Sequence, residues 1–478
     1  MTTARPVEQR AVEARPEKQE LVEGGHNGGR SRWRVTAGIE QAKLLIPLAL
    51  YLLLSALYLL TVPVGESPDE PGHLQCIEQV SQHGRLPQVS PRPTGEWWSR
   101  TSIVSGRMCY HMPLYYVAGG FLQRVWHELS DAPLHFEFPP NNPAWGRSPA
   151  MFLHVPPWRL AEPAVVTIVR LFTMVLGMIV IWGTYRIATS LFPKQGAVAL
   201  TAAILVAGWP QFLYMSRAIN NGFLATTLSV LVLVTLLASR RPVRYVWAAI
   251  LATLALLSKL TAVFTLGVVT TLFIVELWHA LHTRRTQEWK ALLRAGLAMV
   301  VVFCGLFAVI ALVPSLRYNF AQSVGEFRAV PSQATTIAYW AEVLQLTASS
   351  GWARFGWMNV ATPNWQNYGW WLFILLGAFG GVLNLATNRE EVSRWEWALV
   401  GVWVLGVTAS YFRINLNRFQ PQFRFAFTLL PVLAVLAAAG YLHWFRSKAY
   451  LVPALLVPGL LLINLGLIFG LIVPTYYP

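Results

Sequence analysis

Eleven stretches of mostly apolar residues follow one another along the chain, near 43–64, 164–187, 195–215, 221–239, 243–258, 260–281, 292–314, 367–386, 395–412, 423–443 and 450–474. Each is close to the roughly 20 residues that an α-helix needs to cross a bilayer. The pattern predicts an all-α, polytopic integral membrane protein with about eleven transmembrane helices. Only Ser258, Lys259 and Leu260 separate 243–258 from 260–281, so a re-entrant or kinked arrangement fits that pair as well. Residues 1–40 are polar, rich in Arg, Glu and Gly, and without an apolar period, which reads as a disordered cytoplasmic tail. They lack the apolar centre and small-residue cleavage site of a signal peptide, so the first apolar run is expected to stay as an anchor. Residues 41–478 form the membrane domain.

Short basic loops set the direction. RRPVR (240–244), HTRR (282–285), NREEVSR (388–394) and HWFRSK (443–448) all fall on one side of an eleven-span chain. The positive-inside rule makes that side cytoplasmic. Three longer segments then lie outside: 65–163, 315–366 and the shorter 412–424. A loop as long as 65–163 is expected to carry helices and a function of its own. Within it 69–84 reads as helix, and so does 111–129, with Leu114, Val117, Phe121, Leu122, Val125 and Leu129 at helical spacing. Both are expected to lie at the membrane surface. The stretch 131–159, dense in Pro, Asn and Trp, reads as irregular.

Composition agrees with the pattern. The chain of 478 residues is 55% hydrophobic and 12% charged, against about 25% charged in a soluble domain. The net charge of +15 does not call for nucleic acid, because most Lys and Arg flank the apolar runs. The three cysteines form no Cys-x-x-Cys, so no zinc site is suggested. Cys76 and Cys109 share the external loop, where a disulfide is allowed and two buried free thiols are the alternative.

The first external loop opens on SPDEPGH (67–73), directly after the first apolar run. Ser67 and Glu70 have capping-box spacing, which would give Glu70 to the helix start and leave Asp69 for chemistry. Ordinary first-turn acids are the plainer reading of this pair. Its surroundings favour the chemical one. His73 follows on the same helical face, and His111, Tyr115 and Tyr116 lie further along the loop. Cations also gather on the outer side, where the charge rule leaves few: Arg217, Lys259, Arg354, Arg413, Arg418 and Arg424. Cations kept there call for an anion, a lipid headgroup or a counter-charge. A lipid phosphate meets that need, since Arg offers a two-pronged donor and Lys a point charge. A neighbouring carboxylate could take a proton from an acceptor hydroxyl, or hold a divalent metal ion. Asp69 and Glu70 are therefore the candidate catalytic acids, with Asp69, Glu70 and His73 the ligand set if a metal takes part. His73, His111, Lys259, Arg354, Arg418 and Arg424 are the candidate substrate contacts. Arg170, deep in its helix, is expected to pair inside the bundle. Trp352 and Trp357 are expected to be interface anchors, and Tyr115 and Tyr116 packing residues.

A first helix followed by PDEPGH, with HMPLYY (111–116) in the same loop, resembles the GT-C glycosyltransferase superfamily. Protein O-mannosyltransferases and lipid A aminoarabinose transferases belong to it. SKL (258–260), RFGWMN (354–359) and QPQFRF (420–425) more closely resemble a bacterial branch of that superfamily. The resemblance implies an inverting transferase using a polyprenyl-phosphate sugar at the outer face of the cytoplasmic membrane. The acceptor would be a cell-envelope glycan, lipid or protein. It also implies that Asp69, with Glu70 second, is the base or metal ligand. Where relatives of the late motif have Gly-Arg-Tyr, this chain has Gln422, Phe423, Arg424 and Phe425, so Arg424 aligns only approximately. A transporter or flippase of a lipid-linked or anionic solute is the alternative, as is a non-catalytic partner subunit of the same fold. The concentration of unusual polar residues in outer loops, away from mid-membrane, favours the enzyme.

Overall fold

The computed structural model describes residues 27–86, 107–155, 163–283, 285–326, 334, 336–387 and 394–478. Residues Leu44–Pro478 form one compact unit, and Met1–Lys43 a separate one. Nine helices among the described residues are long and apolar enough to cross a membrane: Lys43–Thr61, Ala164–Leu191, Asn221–Ala238, Leu260–His282, Thr286–Leu312, Asn364–Thr387, Arg394–Asn417, Phe423–Trp444 and Leu451–Tyr476. A bent pair, Gly196–Ala207 with Pro210–Ser216, and the shorter apolar helix Val243–Ser258 fill the remaining two stretches. The chain is an all-α, polytopic membrane protein whose helices follow the eleven apolar runs.

Two differences from the sequence reading have local causes. The first helix begins at Asn27, inside the stretch assigned to a disordered tail. Arg30, Arg32, Arg34, Glu40, Gln41 and Lys43 favour extending a helix that is already nucleated, against the cost of Gly28, Gly29 and Gly38. The run 195–215 is not one straight helix but breaks by 64°. Pro210 disfavours helical geometry at Trp209 and cannot donate a backbone hydrogen bond. Trp209 is wholly buried there, and its indole N–H donates to the Gly351 carbonyl at 2.5 Å.

Small residues let two spans approach closely. A Cβ on Gly440 would lie 1.9 Å from the Gly377 carbonyl oxygen, and one on Gly381 would lie 2.2 Å from that of Leu436. Helices Asn364–Thr387 and Leu430–Trp444 therefore touch through backbone, as membrane helices with small-residue seams do.

The basic end of the bundle is tied by ion pairs. Arg240 reaches Glu396 at 2.9 Å and Arg244 reaches Glu276 at 2.5 Å. The basic segment 388–393 lies outside the described residues. At the opposite end the first long loop folds into helices Glu70–His83 and Leu114–Ser130, the second preceded by a short turn at Arg107–Tyr110. Helix Glu70–His83 is largely buried, because Gly119 and Gly120 bring Leu114–Ser130 down onto Ile77 and Val80. The upper helix leaves Val117, Phe121, Val125 and Leu129 exposed at four-residue intervals, with Phe121 65% and Leu129 77% accessible. Such a stripe suits a membrane surface. Residues 131–155 are irregular, as their composition suggests.

A Cys76–Cys109 disulfide with Cα atoms 5.4 Å apart joins the first of these helices to the turn at Arg107–Tyr110. Closing its 33-residue separation is expected to stabilise by ~3–4 kcal/mol. Cys76→Ser and Cys109→Ser should each lower the unfolding midpoint in detergent, and reductant should lower the wild type to the same point. Variants that melt with unreduced wild type would show that the bridge contributes nothing to stability.

Candidate active site

The acidic pair is divided between two jobs. Glu70 turns inward and is wholly buried. The Arg170 Nε and Nη2 atoms donate to its two carboxylate oxygens, both at 3.0 Å. The Gly65 and Ile219 amides each donate to it at 3.1 Å. Burial pushes the Glu70 carboxyl up, but Arg170, Arg217 and these hydrogen bonds hold it below its ordinary value. Arg170 also donates to the Val62 and Pro63 carbonyls. The expected capping box is absent at Glu70. The Ser67 hydroxyl instead accepts from Arg217 Nη2 at 2.6 Å, and the Glu70 carboxylate is taken up by Arg170. Glu70 is therefore bonded inward to Arg170 and does not line the cavity that Asp69 faces.

Asp69 faces the other way. It precedes the helix with φ 67°, a left-handed conformation that Asp tolerates better than most side chains. Its side chain caps nothing in the helix. It accepts from Arg424 Nη2 at 2.8 Å, with 28% of its surface open. Burial alone would raise the Asp69 carboxyl, but Arg424 and Lys259 hold it below its ordinary value.

A cavity of about 400 Å³ opens in front of Asp69. His73, His111, Lys259, Arg354, Arg418 and Arg424 all line it. Each is carried there by a different local device. Lys259 sits in the tight turn after Val243–Ser258, where Ser258 Oγ donates to the Asn221 carbonyl and Asn221 Nδ2 to the Ser258 carbonyl. Its ammonium lies 4.9 Å from the centre of the Phe425 ring. Burial, then Arg424, pushes Lys259 down to about 7, against the opposing pull of Asp69. Arg354 starts a two-stranded hairpin, Arg354–Phe355 with Val360–Ala361, whose turn needs positive φ at Gly356 and Met358. Arg354 donates to the Met358 carbonyl at 2.6 Å and to Ser349 Oγ at 3.0 Å. Arg418 ends the helix Arg394–Asn417, and Arg424 opens the next turn. The Arg424 side chain is 9% exposed, and its Nε has no hydrogen-bond partner among the described residues.

Burial favours the neutral form of the two cavity histidines, His73 and His111. Burial drives His73 down to about 3, and burial with Lys259 holds His111 well below its ordinary value. His73 Nδ1 lies 2.8 Å from the Tyr116 hydroxyl. The proposed metal set does not form. Glu70 is spent on Arg170, the cations Arg424 and Lys259 flank Asp69, and no group of three metal-type donors occurs among the described residues.

Other residues singled out in the sequence have structural places. Arg217 is buried with its guanidinium 4.5 Å from the Tyr214 ring centre. Arg413 donates to Asn417 Oδ1 at 2.5 Å. Trp352 is an internal residue rather than an interface anchor, packed on Trp370 at 4.1 Å. Trp357 lines the cavity, and its indole N–H donates to the Gly65 carbonyl at 3.1 Å. Sequence reasoning missed Glu66. Its buried carboxylate accepts from the amides of Met151 and Phe152 and meets His154 Nε2 at 2.6 Å. Its place directly after an apolar run was the only signal. Asn417, Gln420 and Gln422 were also missed as cavity residues.

The two acids should separate on stability. Glu70→Ala leaves Arg170 buried without its counter-charge, which costs about 3–5 kcal/mol. Asp69→Asn keeps the shape, the left-handed conformation and an amide oxygen for Arg424 at a partly open site, so a smaller loss is expected. Unfolding curves in detergent measure both. Equal losses would contradict the division of roles.

Residues 164–307 match a family described as dolichyl-phosphate-mannose-protein mannosyltransferase. That segment carries Arg170, Arg217 and Lys259, but not Asp69 or Arg424. No curated protein matches the chain. Similar solved structures include the archaeal oligosaccharyltransferase AglB from Archaeoglobus fulgidus in complex with an inhibitory peptide and a dolichol-phosphate. The identity is 14% and the TM-score 0.47, over 90% of this chain and 55% of that one. They also include ArnT from Cupriavidus metallidurans bound to undecaprenyl phosphate, with 13% identity and TM-score 0.49 over 90% of this chain and 73% of that one. The chain thus spans about half the length of AglB and about three quarters of ArnT. In its PDEPGH and HMPLYY motifs, and in the family match over 164–307, the chain resembles the GT-C glycosyltransferases.

Proposed function

We propose that the chain is an inverting glycosyltransferase of the cytoplasmic membrane that takes a sugar from a polyprenyl-phosphate donor. It passes the sugar to a cell-envelope glycan, lipid or protein at the outer face. One observation carries this reading: among the described residues a single carboxylate, Asp69, shares a cavity with Lys259, Arg354, Arg418 and Arg424. The match to a dolichyl-phosphate-mannose family supports the donor class. So do the dolichol-phosphate and undecaprenyl phosphate named for AglB and ArnT. The disulfide supports an outward-facing site, since such bonds persist in oxidising compartments.

The donor's phosphodiester is held by Lys259 and Arg424, and Leu260, Leu346, Ile414 and Phe425 give the start of its prenyl chain an apolar wall. In the free protein Arg424 is bonded to Asp69. A phosphate competes for that guanidinium and for Lys259, which leaves Asp69 a stronger base than when it is paired. The acceptor oxygen attacks the anomeric carbon from the face opposite the phosphate. Its proton goes to Asp69, and the sugar–phosphate bond breaks. Polyprenyl phosphate departs with an added negative charge, which Lys259 and Arg424 stabilise. One displacement inverts the anomeric configuration.

Asp69→Asn should cut sugar transfer by roughly 100-fold or more, the scale of lost general-base catalysis, at unchanged protein level. Reconstituted transfer from a radiolabelled polyprenyl-phosphate sugar measures this, and an Asn variant as fast as wild type would remove Asp69 from the chemistry.

Lys259 supplies a pH test. Its charge in the free protein is lost as pH rises through about 7. Donor binding needs the charged form, so the donor KM should be lowest below pH 7 and climb between pH 7 and 8. Lys259→Arg should flatten that climb, because Arg stays protonated. A donor KM equally flat in wild type and variant would show that Lys259 keeps its charge through this range, and an unchanged donor KM in Lys259→Ala would take it out of phosphate binding.

A further inference from the structure

The structure commits one nitrogen of His73 and leaves the other free. The Tyr116 hydroxyl lies 2.8 Å from His73 Nδ1 and 3.3 Å from the Met108 carbonyl oxygen. A carbonyl only accepts, so both contacts are satisfied when Tyr116 gives its proton to Met108 and accepts from Nδ1–H. The ring is then the Nδ1–H tautomer, with an unprotonated Nε2 that no protein group bonds among the described residues. Only 1% of His73 is accessible, and the ring lines the cavity one helical turn beyond Asp69.

The parts around this contact are braced. Cys76 lies on the helix of His73, and Cys109 adjoins Met108, so the disulfide fixes the imidazole's helix relative to the accepting carbonyl. Ser323 Oγ donates to the Tyr110 carbonyl at 3.0 Å and holds the same turn from the far side.

We propose that His73 is a neutral acceptor for a hydroxyl of the molecule receiving the sugar, and that Tyr116 is the positioning residue that fixes its tautomer. This rests on the transferase reading above and narrows its substrate. A hydroxyl that gives its proton to Asp69 cannot also donate to His73. The acceptor therefore carries two neighbouring hydroxyls, as a sugar ring does. A lone alcohol satisfies only one of the two groups.

The test uses full-length protein in detergent with 15N-labelled histidine, the His73 resonances being assigned by their loss in a folded His73→Gln variant. Wild type should show a protonated Nδ1 and a bare Nε2, and Tyr116→Phe a mixture of tautomers. A methyl pyranoside should shift the Nε2 signal in wild type more than cyclohexanol does. Tyr116→Phe should weaken methyl pyranoside binding about five- to ten-fold, the scale of one hydrogen bond. An Nε2–H tautomer in wild type, no shift with the pyranoside, or an equal shift with cyclohexanol would overturn the proposal. These readings need no turnover. Loss of sugar transfer with the NMR result intact would instead count against the transferase reading.

Discussion

A fully buried ion pair between Glu70 and Arg170 is the constraint on which the site depends. Two charges in an apolar bundle are costly unless each is met by good geometry and further hydrogen bonds. Here both carboxylate oxygens meet the guanidinium, and two backbone amides complete the set. The pair locks the first residue of the loop helix against the membrane helix Ala164–Leu191. With Glu70 fixed inward, Asp69 is held at the mouth of the cavity in a left-handed conformation. Adjacent acids thus point to opposite sides of one junction, and only Asp69 lines the cavity.

Charge around Asp69 then follows from burial. Lys259 and Arg424 sit where water is scarce, and one carboxylate does not balance the cations that line the cavity. Lys259 responds by holding its proton less firmly, and Arg424 keeps a nitrogen without a partner among the described residues. Both conditions are relieved by an anion entering from the cavity. A divalent cation would worsen both, which is the physical reason the anticipated metal set does not suit this geometry.

Much of the fold was legible because hydropathy along the chain reports the bilayer directly. The runs at 164–187 and 221–239 could scarcely be anything but spans. The break at Trp209 was less visible, since Pro210 follows an apolar run and precedes another without a polar gap. For the site, the cations were legible because the basic-loop pattern in the sequence assigns them to the side where few cations are expected. The direction of Glu70 was not. Its partner Arg170 lies 100 positions away, and Ser67, which should have closed the capping box, is claimed by Arg217. Local spacing cannot see partners supplied by other helices. For the same reason Tyr116 read as packing, although its hydroxyl joins His73 to Met108.

The central claim is that the space between Asp69, Lys259 and Arg424 receives a lipid phosphate. A cryo-electron microscopy structure of the protein in nanodiscs with a polyprenyl monophosphate tests it directly. The account predicts phosphate density within hydrogen-bonding distance of Lys259 Nζ and the Arg424 guanidinium, with Arg424 no longer bonded to Asp69. Phosphate bound elsewhere, or a saturated sample in which the Arg424–Asp69 pair is intact and the cavity holds no phosphate, would contradict it.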